Sequence, residues 1–129
     1  MDLYNAALGQ NEDDEQIELS LEQYQEAKDH YEGIIARGQS AKNLSQNSDF
    51  VALIMEGYLT NEGLRLSELI TSGRINNQSV RDNVMKDMEA IGSFRNYMKM
   101  HTEQAAVAVA ELADLNEAWE IALREEAGE

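Results

Sequence analysis

The sequence has no cysteine and no proline in 129 residues. Without cysteine there is no disulfide, no thiolate metal ligand and no thiol nucleophile, so composition gives no support to an oxidising compartment. Without proline nothing in the chain deletes a backbone donor or clashes with a preceding turn. Helices then stop only where caps, glycines or polar turns stop them. Long apolar runs are missing too: no window of about 18 residues is apolar throughout. Residues 1–10 lack the basic start and apolar run of a secretion signal. The expectation is a protein that is intracellular when made, with no membrane partner. Positive charge is scarce, with 10 Lys and Arg against 25 Asp and Glu, for a formal charge of −15.

The negative charge is unevenly placed. Residues 1–32 carry ten acids and one base (−9), residues 33–102 seven acids and eight bases (+1), and residues 103–129 eight acids and one base (−7). Two acidic ends flank a neutral middle. Such a surface repels phosphate backbones and anionic lipid, so direct nucleic-acid or membrane binding is disfavoured and a protein partner is the open alternative. The bland reading of the same charge is solubility and spacing.

What is present is helical periodicity. Apolar residues recur at steps of three and four rather than two, so the chain reads as all-α. The expected fold is a three-helix bundle core over residues 20–100, a flexible acidic arm over 1–19 and an Ala-rich helical extension for assembly over 101–129. The arm holds the cluster Glu12, Asp13, Asp14 and Glu15, and is too polar to bury surface of its own. Ahead of that cluster Leu3, Tyr4, Ala7 and Leu8 form a short patch at helical spacing. Leu3, Tyr4 and Leu8 are therefore expected to be arm contacts that order on a partner.

Helix one is expected to start at Ser20, whose hydroxyl can accept from the first turn while Gln23 reaches back in a capping box. The turn Ser45, Gln46, Asn47, Ser48 should separate it from helix two, capped by Ser48 or Asp49 and running over residues 50–70. Helix two is apolar on more than one stripe, which predicts packing on two neighbours. Phe50, Gly57, Tyr58 and Leu66 are its expected packing residues, with Gly57 allowing another helix to come close. Helix three should be capped by Ser79 with Asp82 and continue over residues 80–124, either straight or bent near His101. A helix of that length outruns the other two, so its second half is expected to lack an intramolecular cover. Ala105, Val109, Leu112, Leu115, Trp119 and Leu123 are the expected assembly contacts. Small side chains favour close helix packing, and a lone Trp on a protruding helix marks an anchor.

No motif names a reaction. A carboxylate-bridged metal site needs Glu-x-x-His pairs, but His30 follows Glu26 by four and His101 precedes Glu103 by two. Nucleophile elbows, phosphate loops and dinucleotide fingerprints are absent. The expectation is a non-enzyme with no catalytic residue, no metal and no cofactor.

The stretch NSDFVALIMEGYLTNEGLRLSELI, followed by VMKDMEAIGSFRNYM, resembles small helical proteins encoded among the structural genes of short-tailed bacteriophages. Asn47, Asp49, Phe50, Gly57, Tyr58, Arg65, Leu66, Ile91 and Gly92 carry the likeness, which covers residues 47–98. It departs at Ser48, where those proteins often have Pro. The resemblance implies a bacteriophage structural or assembly protein, acting in the host cytoplasm or in the virion through contacts with itself or a virion protein. The rival reading is an acidic inhibitor that mimics nucleic acid and blocks a host nucleic-acid enzyme. A small enzyme with an unrecognised site is a weaker third.

Overall fold

Three helices, built almost entirely from local signals, account for the computed structural model, which describes residues 19–128. Helix α1 is Leu21–Ser45. Its start is the expected capping box: the Ser20 amide donates to Gln23 Oε1 and the Gln23 amide to Ser20 Oγ, both at 3.1 Å. Leu19 just before the cap is buried in the same cluster that Tyr24 packs against, so a hydrophobic staple fixes the angle at which the chain enters.

Helix α2 covers residues 48–71 in three windings: α-helical Ser48–Phe50, π-helical Val51–Glu62 and α-helical Gly63–Thr71. Its cap is Asn47 rather than Ser48 or Asp49. The Asn47 side chain accepts from the Phe50 amide at 2.9 Å, with its own backbone extended at φ −82° and ψ 122°. A carboxamide at this position reaches the third amide of the helix, which leaves Ser48 as its first residue. The helix closes at Gly73, whose φ of 74° is the left-handed conformation that ends many helices. Helix α3 is Gln78–Glu126, unbroken through Gly92 and His101. Again an Asn displaces the expected Ser cap: Asn77 Oδ1 accepts from the Ser79 and Val80 amides at 2.8 and 3.2 Å.

The chain divides into two compact units. One unit pairs residues 19–39 with residues 103–128; the other is Ser40–Thr102. The first unit joins the start of α1 to the C-terminal part of α3, and the second holds the end of α1, α2 and the first part of α3. The boundary falls inside both α1 and α3.

In the Ser40–Thr102 unit α2 runs antiparallel to the first part of α3. Leu66, Val84 and Ile91 are buried, with Tyr58, Leu59, Leu69, Ile70, Ile75 and Met88 packed against them. Tyr58 meets Phe94 edge-to-face with centroids 6.1 Å apart. Arg95 Nη2 donates to the Leu59 carbonyl at 2.7 Å. Among the described residues none of Val51–Glu62 is buried, and Leu53 is 72% exposed. Phe50 is half-buried.

Among the described residues, no atom of another helix lies within 4 Å of a Cβ placed at Gly57. A Cβ there would lie 3.1 Å from the carbonyl oxygen of Ala52 in its own helix. The π winding brings the carbonyl five residues back into range, as the 3.1 Å bond from Thr60 Oγ1 to the Met55 carbonyl shows at a neighbouring position.

Candidate functional site

The C-terminal part of α3 was expected to present an uncovered stripe; in the structure the first part of α1 covers one side of it. Leu19, Ala27, Tyr31, Ala108 and Leu115 form a buried cluster, with Tyr24, Ile34, Ile35, Leu112 and Trp119 against it. The spacing explains the match. Residues 24, 27, 31 and 34 of α1 and 105, 108, 112, 115 and 119 of α3 each repeat at alternating steps of three and four, so two narrow stripes face each other along a shared seam.

The seam ends in a polar-aromatic clamp. Tyr24 and Trp119 stack with centroids 4.8 Å apart and planes 8° apart. The Tyr24 hydroxyl donates to Asn116 Oδ1 at 2.8 Å, and Lys28 Nζ lies 6.0 Å from the Tyr24 centroid, at the outer reach of a cation–π contact.

The six expected assembly residues therefore separate. Leu115 is fully buried, Leu112 and Trp119 are engaged by α1, and Ala105 is half-buried. Val109 and Leu123 stay outside at 55% and 45% exposure, joined by Val107 and Ile121, which the spacing argument did not select. On a helix with two apolar sides, spacing alone does not say which side is used internally. The arm contacts Leu3, Tyr4 and Leu8 lie outside the described residues.

Beside the seam, in the same unit, is a cleft of about 550 Å³. Its lining combines the apolar Tyr31, Ile34, Ala108 and the 56% exposed Val107 with His30, Arg37, Glu103, Gln104 and Glu111. His30 sits edge-on to Tyr31 with centroids 5.3 Å apart. This cleft had no signal in the linear sequence, because its two walls come from segments some seventy residues apart.

Among the described residues no group of three or more His, Asp or Glu side chains is placed to hold a metal, and no helix is long and apolar enough to cross a membrane. Among the described residues the resolved electrostatic perturbation is on α2. Arg65 Nη2 donates to Glu62 Oε2 at 2.9 Å and its Nε to Oε1. This fork, more than its Coulombic attraction, lowers the Glu62 pKa. Compared with protein-family models, curated proteins and solved structures, the chain matches none.

Proposed function

We propose that this chain is a non-enzymatic structural or assembly protein of a bacteriophage, acting through helix–helix contacts with itself or with a virion protein. One observation carries the contact part of the reading: Val51–Glu62, among the most apolar stretches of the chain, contributes no buried residue. Leu53 and Leu64, at 72% and 59% exposure, and Met55 stand on the outside of α2. A helix apolar on more than one side gains free energy by covering the second side, at about 25 cal/mol for each Å² removed from water. The likeness of residues 47–98 to proteins from phage structural gene clusters supports the viral setting, and this same stretch holds the exposed face.

Light scattering on the isolated protein and on a Leu53→Glu, Leu64→Glu variant tests the reading, together with mass spectrometry of purified particles. The expected result is a parent that self-associates or is found in particles, and a variant that does neither while melting at the parent's temperature. A parent that stays monomeric and is absent from particles refutes it. Salt separates the rival: a nucleic-acid mimic held by its acidic ends should lose affinity steeply with ionic strength, and an apolar helix contact should not.

A further inference from the structure

We propose that the cleft between the first part of α1 and the C-terminal part of α3 receives one face of a basic amphipathic helix from a partner protein. It does not depend on the outer face of α2, because every residue that lines the cleft belongs to the unit of residues 19–39 and 103–128. The α1 wall of the cleft runs from His30 to Arg37 and the α3 wall from Glu103 to Glu111, seven and eight positions apart. At the helical rise these are about 10.5 and 12 Å, two turns each. A third helix laid along such a groove inserts side chains at i, i+3 or i+4, and i+7 over the same length. Tyr31, Ile34 and Ala108 lie between the walls to meet them, and Val107, 56% exposed, is an apolar side chain still in water that such a helix would cover.

Charge decides the occupant. Residues 19–39 and 103–128 carry eleven acids and three bases, a formal −8, whereas residues 40–102 carry seven of each. A phosphate backbone or an anionic lipid surface is repelled by this unit, and a second copy would set two such acidic units against each other. Lys and Arg beside the apolar stripe of a partner helix meet Glu103 and Glu111 on the α3 wall instead, and their long stems add apolar cover at the edge of the groove. Arg37 and His30 stand on the α1 wall. The two sides of the groove are therefore unlike, and the basic flank of the helix lies along α3.

Two synthetic peptides of Leu and Lys serve as probes, each of about 18 residues or five helical turns. One repeats Leu at steps of three and four; the other has the same composition in scrambled order. Titrated into the full chain at physiological salt and followed by amide NMR shifts, the first should bind at least about tenfold more tightly than the second, with the shifts concentrated at residues 30–37 and 103–111. Equal affinity would mean attraction to net negative charge alone and overturns the proposal. So does a shift pattern centred on residues 40–102.

A pair of variants separates the groove from the rest of the surface. Val107→Glu and Val109→Glu add the same charge at positions 56% and 55% exposed, but of the two only Val107 lines the cleft. Val107→Glu should weaken the amphipathic peptide by about tenfold in spite of its added negative charge, and Val109→Glu by less than about twofold. Equal responses overturn the proposal whatever the affinity of the parent. Glu111→Gln should weaken binding by about threefold at low salt and by little at high salt, as an edge contact between charges does. The Leu53→Glu, Leu64→Glu variant should bind the peptide as the parent does, so failure of the groove and failure of the α2 contact are read separately.

Discussion

Trp119 stacks on Tyr24, with the two rings 8° from parallel and their centroids 4.8 Å apart. The contact joins residues 95 positions apart and turns the only Trp of the chain inward, as part of the seam between α1 and α3. The side chain most suggestive of an external anchor is thus a tertiary contact. The outer surface of the same segment passes to Val107, Val109, Ile121 and Leu123.

This relationship gives a paired prediction. Leu115→Ala, at a fully buried position, should destabilise the fold by about 2–5 kcal/mol. Val109→Ala should leave stability within about 0.5 kcal/mol, because the side chain is 55% exposed. Urea titrations followed by Trp119 fluorescence measure both. Equal costs would contradict the facing of α3 described above.

The Tyr24 hydroxyl should contribute through Asn116. Tyr24→Phe removes its 2.8 Å bond and should cost about 0.5–1.5 kcal/mol. A double-mutant cycle with Asn116→Ala should show coupling between the two sites, whereas additive losses would mean that each side chain is satisfied by water.

The caps make the start of α2 testable at single-residue resolution. Asn47→Ala should cost about 1 kcal/mol through loss of the 2.9 Å bond to the Phe50 amide. Ser48→Pro should be neutral or stabilising, since Ser48 is the first residue of the helix and Asn47 already has the extended backbone that precedes proline. Thermal melts of the two variants should move in different directions or differ plainly in size.

Gly63 and Gly92 sit in helical positions where an added Cβ meets nothing within 4 Å. Replacing either by Ala should stabilise by about 0.5–1 kcal/mol. Gly57→Ala should fail to give that gain, because its Cβ would press on the Ala52 carbonyl at 3.1 Å. A stabilised Gly57→Ala variant would mean that residues 51–62 relax readily to α winding.

The Glu62–Arg65 fork should be visible by titration but nearly silent in stability. Hydrogen bonding to Arg65 holds the Glu62 carboxyl below its ordinary value. Its contribution is therefore present above the ordinary carboxylate pKa and is lost as pH falls through the depressed one. Both side chains are exposed, and solvent screens such pairs. Arg65→Met should return the Glu62 titration, read by carbon NMR, toward the usual carboxylate range with little change in melting temperature.

The all-helical class, the Ser20–Gln23 capping box and the turns that separate the three helices were legible because they depend on residues within a few positions of each other. Caps and periodicity are local interactions, and local interactions are written in order along the chain. The shift of two caps to Asn47 and Asn77 was within reach of the same reasoning, since Asn caps as well as Ser. Three features were decided only by the tertiary structure. They are the pairing of residues 19–39 with 103–128, the π winding over Val51–Glu62, and the cleft lined by Arg37 and Glu103. An amphipathic stripe states that a helix needs a cover but not which stripe supplies it, because apolar attraction is non-directional and many partners satisfy it nearly equally. The choice is made by shape and register between distant segments, as where Tyr24 meets Trp119, and such fit is a property of surfaces brought together by folding rather than of either segment alone.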